Sequence, residues 1–86
     1  MFYVYLIQNV GNPDDFYLGC SHDLKARLKE HNEGRCKSTK YKRWRVIYYE
    51  AFLTLSCART REYRLKHDGR ARRQLMERIN GSLETE

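Results

Sequence analysis

Residues 16–31 constrain the fold of this chain most, because they place polar side chains where a small domain usually buries apolar ones. Residues 16–19 have the composition of a short strand, and Ser21 is a suitable N-cap for the segment that follows. Gly34 stands just beyond the predicted end of a helix over 22–33. The stretch therefore predicts a strand, a turn and a helix.

The predicted helix carries a mixed apolar and polar stripe. Its only large aliphatic residues are Leu24 and Leu28, one turn apart. Arg27 lies three residues after Leu24, and His31 lies three residues after Leu28, on the same stripe of the helix. Burial of an unpaired guanidinium costs several kcal/mol or more, so we expect both groups at the edge of the buried face, beside a cleft. The alternative is that Arg27 pairs with an acid and His31 only covers the edge of the core.

The length of 86 residues predicts one domain over residues 1–86. The chain has no run of about 18 apolar residues and no signal-peptide pattern, which predicts a soluble, cytoplasmic protein. Three cysteines are an odd number without framework spacing, so we expect reduced thiols rather than disulfides. The cysteines and histidines also lack the spacing of a zinc site.

Residues 2–8 are apolar or aromatic at alternate positions on both faces, which predicts a central strand. The turn-forming residues Gly11 to Asp14 predict a hairpin that joins residues 2–9 to 15–19. Tyr5 and Tyr17 can then lie close together on adjacent strands, with a register that the sequence leaves open.

Residues 34–45 form a segment that contains six basic residues and no acidic one, in a chain of net charge +6. Basic side chains interleaved with hydroxyls and aromatic rings favour contact with nucleic-acid phosphates and bases over a merely soluble loop. Tyr41 or Trp44 either stacks on bases or anchors this loop to the core. The predicted contact residues are Arg35, Lys37, Ser38, Thr39, Lys40, Tyr41, Lys42 and Arg43.

Residues 46–53 are β-branched and aromatic and predict a third strand. A helical pattern begins at Ser56 and places Glu62 within an apolar stripe, where a carboxylate needs a cation or a metal ion as partner. Residues 67–69 break this helix, and residues 70–79 predict another, after which the end of the chain, residues 81–86, is expected to fray.

Polar groups at core-facing positions of different elements are explained together if they converge in one cleft. A carboxylate can hold a divalent ion, a guanidinium can stabilise developing charge on phosphate, and a phenol or imidazole can position or deprotonate water. The set therefore suits phosphodiester hydrolysis. Its members are Tyr5, Tyr17, Arg27, His31 and Glu62.

The same residues give the chain a resemblance to the GIY-YIG nucleases, above all to small single-domain members related to the nuclease module of the repair excinuclease. The motifs appear in order as Tyr3-Val4-Tyr5, Tyr17-Leu18-Gly19, Asp23 to Asn32, Lys37 to Tyr41 before Trp44, and Ala58 to Glu62. Departures from the pattern are Tyr3 for the first glycine, Val4 and Leu18 for isoleucines, and Cys20 where excinuclease members have a lysine.

The resemblance implies an α+β fold in which a three-stranded antiparallel sheet is flanked by about three helices. It implies a DNA endonuclease, with repair or recombination as the setting, that uses one Mg²⁺ or Mn²⁺ held by Glu62. By position, Tyr5, Tyr17, Arg27 and His31 fall on family site residues, and Asn80 falls loosely on a late asparagine. Branched, nicked and single-stranded DNA all stay open as substrates. Other functions that stay open are a catalytically weak nucleic-acid-binding module and a subunit recruited by a protein partner.

Overall fold

A three-stranded antiparallel sheet and three helices make up the fold, as the sequence predicts. The computed structural model describes the backbone of residues 1–84 and the side chains of residues 1–81. The elements in chain order are β1 (Phe2–Asn9), β2 (Asn12–Ser21), α1 (Leu24–Asn32), a 3₁₀ turn (Lys37–Thr39), β3 (Trp44–Phe52), α2 (Leu55–His67) and α3 (Gly69–Glu84).

Strand β1 lies at the centre of the sheet, whose strand order is β2-β1-β3. The predicted hairpin is confirmed, but its turn is shorter than expected because β2 already begins at Asn12. Pro13 is tolerated there since β2 is an edge strand. Tyr5 pairs with Gly19, and Ile7 pairs with Tyr17. Tyr5 and Tyr17 therefore lie on the same face of the sheet, on adjacent strands, with the Leu6–Leu18 pair between their positions.

The alternating side chains of β1 divide the core into two layers. Val4 and Leu6 pack on one face with buried residues of α2 and α3, namely Ala58, Leu65, Leu75 and Ile79. Tyr5 and Ile7 pack on the other face with Trp44 and with the two leucines of α1. Helices thus cover both faces of β1, which explains why its sequence is apolar or aromatic from Phe2 to Ile7.

The boundaries of the helices differ from the prediction at several points. Asp23, not Ser21, is the N-cap of α1, because the Asp23 side chain accepts a 3.0 Å hydrogen bond from the Ala26 backbone N–H. Gly34 follows the helix with a φ of 76°, a conformation that favours glycine. Helix α3 continues to Glu84, through most of the end that the sequence predicts to fray; residues 85 and 86 lie outside the described part.

An ion pair fixes α2 against the sheet. Arg61 of α2 donates two hydrogen bonds, of 2.8 and 3.0 Å, to the two carboxylate oxygens of Glu50 on β3. The Tyr48 hydroxyl donates a third, of 2.6 Å, to the same carboxylate. Because Arg61 is the neighbour of Glu62, this contact also sets the side of α2 on which Glu62 lies.

Candidate active site

A cavity of about 670 Å³ lies at the β2 edge of the sheet, where side chains from both faces reach it. Four of the five residues predicted to be catalytic line it, and each comes from a different element. Tyr5 comes from β1, Tyr17 from β2, Arg27 from α1 and Glu62 from α2. The structure therefore brings together residues that are up to 57 positions apart in sequence, from Tyr5 to Glu62.

Gly19 gives the Tyr5 ring its place in the cavity wall. A Cβ atom at position 19 would lie 2.6 Å from the Cζ atom of Tyr5 and still closer to its hydroxyl oxygen. Such an approach is far inside van der Waals contact, so only glycine leaves room for the phenol here. The glycine of the second signature tripeptide is thus explained by packing against the tyrosine of the first.

His31 lies behind Tyr5 and does not line the cavity. It is fully buried, so the expectation that it stands at the edge of the core is wrong. Burial is possible because both ring nitrogens have partners: Nε2 is 2.7 Å from the Tyr5 hydroxyl, and Nδ1 is 2.8 Å from the Thr39 hydroxyl. The Tyr17 ring packs against the imidazole as well, with 5.0 Å between ring centroids.

Burial and charge set the ionisation of this group of side chains. Burial raises the pKa of Tyr5 to about 12, against the lowering effect of the Arg27 guanidinium beside it. Burial and the same guanidinium lower the pKa of His31, with a smaller opposing effect from Glu30. At neutral pH the phenol is therefore protonated and the imidazole is neutral.

Arg27 stands between the cavity and solvent, with its side chain 34 % exposed. Its Nη1 donates a 2.8 Å hydrogen bond to Oε2 of Glu30, one turn further along α1. The Tyr5 hydroxyl and the Glu30 carboxylate beside it both raise the pKa of Arg27. Arg27 does pair with an acid, then, but its guanidinium lines the cavity and stays fully charged.

Glu62 lies on the α2 side of the cavity, and its Oε2 atom is 3.1 Å from Nζ of Lys66. Within the described residues, no three Asp, Glu, His or Cys side chains are grouped closely enough to enclose a metal ion. One carboxylate facing a hydroxyl-lined cavity does suit Mg²⁺ or Mn²⁺, because such ions keep several waters and take further oxygen ligands from substrate phosphates. The donor set therefore fits a hard cation held by Glu62 and does not fit a zinc site.

The predicted nucleic-acid-binding segment lies apart from this cavity, since none of its eight residues lines it. Most of them are exposed, and Tyr41 is 90 % exposed. Thr39 is fully buried, so the prediction that it contacts nucleic acid is wrong: its hydroxyl contacts His31 instead. Lys42 pairs with Asp15 at 2.9 Å, and Trp44 anchors the loop to the core.

Sequence reasoning missed several residues of the cavity wall. Arg59 and Lys66 lie at i−3 and i+4 from Glu62, so the position of Glu62 on a helix already implied them. Tyr63 and Cys20 also line the cavity, with Cys20 where the resemblance expects a lysine. Arg59 and Lys66 supply cationic charge in its wall. Asn80 is exposed and does not line the cavity.

The fold and the cavity together define a nuclease-type catalytic domain. Residues 1–76 match the family model described as the GIY-YIG catalytic domain. The chain belongs to the GIY-YIG family. No helix in the described part of the chain has the length and apolar character needed to cross a membrane.

Relatives of similar size are known. The chain is 33 % identical over 76 residues to a UPF0213 protein of Haloquadratum walsbyi, covering 84 % of this chain and 81 % of the relative. It is 39 % identical over 77 residues to a UPF0213 protein of Bacillus velezensis, covering 85 % and 72 %. The solution NMR structure of a UPF0213 protein from Bacillus halodurans superimposes with a TM-score of 0.52 at 31 % identity, covering 90 % of this chain and 84 % of that one.

Proposed function

We propose that this protein is a metal-dependent endonuclease that hydrolyses phosphodiester bonds in DNA, with repair or recombination as its setting. The supporting observation is that one cavity collects Tyr5, Tyr17, Arg27 and Glu62 from four separate elements. Packing alone gives no reason to gather these polar groups at one edge of the sheet. A phosphodiester with a hydrated divalent ion makes use of all of them.

Arg27 is the residue that stabilises negative charge on the phosphate. It is a permanent cation at the cavity wall, and its hydrogen bond to Glu30 limits its orientations. A donor that is held in place before the reaction stabilises the developing charge without reorganisation, which is the source of most of its effect. Arg59 and Lys66 line the same cavity and add to the attraction of the phosphate backbone.

The two tyrosines have different surroundings and therefore different proposed roles. Tyr5 is 1 % exposed, its hydroxyl is engaged by His31, and its raised pKa keeps it protonated at neutral pH, so it is not available as a base. We assign Tyr5 to the positioning of Arg27. Tyr17 is half-buried and lines the cavity, so we assign Tyr17 to the orientation of the attacking water.

Glu62 would hold the divalent ion, which supplies Lewis-acid stabilisation of the phosphate and lowers the pKa of bound water. Lys66, 3.1 Å from the carboxylate, pairs with Glu62 in the wall of the cavity. The exposed loop residues Lys37, Lys40 and Arg43 contact the phosphate backbone outside the cavity. Phosphate contacts of this kind position DNA without reading its sequence.

The test is cleavage of branched, nicked and single-stranded DNA by the purified protein with Mg²⁺, Mn²⁺ or EDTA. We expect cleavage with either metal and none with EDTA. Glu62→Gln keeps the shape of the side chain and removes its charge, so it should abolish metal-stimulated cleavage and leave DNA binding nearly unchanged. Glu77→Gln on the exposed face of α3 is the matched control and should cleave as the wild type does.

Arg27→Ala and Tyr17→Phe extend the test to the other roles. Each should lower the single-turnover rate by about 10²-fold or more, the scale for one oriented donor or one acid–base group. Arg73→Ala, an exposed arginine of α3, is the control for loss of positive charge. Binding of DNA without cleavage in either metal would contradict the proposal and favour a binding module.

A further inference from the structure

The Thr39 hydroxyl is buried inside a loop that is otherwise exposed. Ser38 and Lys40, on either side, are exposed, whereas Thr39 has no accessible surface. Its Oγ1 atom lies 2.8 Å from Nδ1 of His31 and 3.4 Å from the backbone carbonyl of Cys36. A hydroxyl on the basic loop thus reaches the imidazole that stands behind the cavity wall.

Each hydrogen bond along this line has a donor and an acceptor once the Thr39 proton is placed. The Cys36 carbonyl can only accept, and the Thr39 hydroxyl lies 3.4 Å from it as the donor. With its proton directed at Cys36, the Thr39 oxygen accepts from Nδ1 of His31 at 2.8 Å, which leaves Nε2 free to accept the hydroxyl proton of Tyr5. The lone pairs of the Tyr5 oxygen then face the cavity that Arg27 also lines.

We propose that Thr39 is a positioning residue for the cleavage site: its hydroxyl selects the tautomer of His31 and, through His31, sets the direction of the Tyr5 hydroxyl in the cavity wall. This inference rests on the proposed nuclease function. Without the Thr39 hydroxyl, the imidazole can carry its proton on Nε2 and donate to Tyr5. The Tyr5 hydroxyl proton then has no acceptor at His31 and turns toward the cavity that Arg27 lines.

The backbone of Thr39 is held by other contacts, so its hydroxyl is not needed to keep the residue in place. The Trp44 indole donates a 3.0 Å hydrogen bond to the Thr39 carbonyl. Asn32 in turn binds both backbone groups of Trp44, at 2.6 and 3.1 Å. Replacement of Thr39 by valine therefore keeps the volume and the anchoring while removing the one hydrogen-bonding group under test.

The experiment compares Thr39→Val with Thr39→Ser in the full chain. The ¹⁵N chemical shifts of the His31 ring report which nitrogen carries the proton, and single-turnover cleavage reports the effect on the site. Wild-type His31 should be protonated on Nδ1. Thr39→Val should move the proton toward Nε2 and lower the cleavage rate by about 10–100-fold, the range for loss of a partner that orients a histidine. Thr39→Ser should restore both.

Thr60→Val is the control, because Thr60 is an exposed residue of α2 with its hydroxyl bonded to the Ser56 carbonyl; it should change neither readout. Wild-type protonation on Nε2 overturns the inference, even if Thr39→Val fails to fold. So does a folded valine variant with an unchanged His31 spectrum and an unchanged rate. If the wild type does not cleave DNA, the proposed function fails, and the ring shifts still decide whether Thr39 orients His31.

Discussion

Replacement of Gly19 by alanine tests the packing on which the site depends. The added Cβ would lie 2.6 Å from Cζ of Tyr5, whereas an ordinary carbon–carbon contact is about 3.5 Å or more. The Tyr5 ring must therefore move by about 1 Å, or β2 must move away from β1. Tyr5 is 1 % exposed and surrounded by the core, so neither movement is free.

Two effects follow from this displacement. Overpacking of a well-packed core costs about 1–3 kcal/mol, which lowers the urea midpoint by about 1 M for a domain of this size. A shift of about 1 Å also moves the phenol hydroxyl away from its 2.7 Å contact with His31, and a misplacement of this size can lower a rate by about 10²-fold. Gly19→Ala should thus lose both stability and single-turnover activity.

Gly69→Ala is the matched control, since a Cβ at position 69 meets no atom within 4 Å. It should unfold at the wild-type urea concentration or slightly above it and cleave DNA at the wild-type rate. If Gly19→Ala is as stable and as active as the wild type, the Tyr5 ring does not lie against Gly19, and the explanation given for the glycine of the second tripeptide is refuted.

Two further predictions concern charges outside the cavity. Hydrogen bonds from Arg61 and Tyr48 outweigh the effect of burial and hold the pKa of Glu50 below its usual value. Glu50→Gln should therefore lower the free energy of unfolding by roughly 1–2 kcal/mol at pH 7, which is the figure for charged hydrogen bonds reduced for partial exposure. Because the pKa of Glu50 is lowered on folding, the difference in unfolding free energy between wild type and variant should have its full size at pH 5 and 7 and shrink as pH falls through the folded pKa. Urea titrations that show the same difference at pH 3 would contradict the role given to the Glu50 charge. Neutralisation of Lys37, Lys40 and Arg43 together should weaken binding equally on all DNA sequences. It should also reduce the slope of log K against log salt by about 0.9 for each duplex phosphate that the protein no longer neutralises. Weaker binding to one sequence alone would argue against phosphate contacts.

The sequence predicts the elements of this fold well because each carries a local signal. The uninterrupted apolar pattern of residues 2–8 identifies the central strand, and helices cover both of its faces. The helical pattern from Ser56 onward also predicts that Glu62 needs a cation or a metal ion as partner, and Lys66 lies 3.1 Å from its carboxylate. These signals depend on neighbours within one turn or one strand, so no long-range contact is needed to interpret them.

The burial of His31 and Thr39 has no such local signal. On the pattern of α1, His31 is a polar residue at the edge of an apolar stripe, and Thr39 is one hydroxyl in a basic loop. Each becomes buried because the other satisfies one of its polar atoms, and Tyr5, 26 residues away from His31, satisfies the remaining ring nitrogen. Contacts of that kind depend on the tertiary fold, and that is why sequence reasoning assigns both residues to more exposed positions than they occupy.

Tyr5 couples the stability of this domain to the proposed chemistry, whereas Glu62 does not. The Tyr5 ring fills the core against Gly19, and its hydroxyl belongs to the hydrogen-bonded line that begins at Thr39, so any change to it alters packing and site together. Glu62 lies across the cavity on α2, where its partner is the partly exposed Lys66 and where Arg61, not Glu62, ties the helix to the sheet. Loss of the Glu62 charge should therefore separate metal binding from folding, which no substitution of Tyr5 can do. The carboxylate that we propose as the metal ligand can thus be changed without harm to the core.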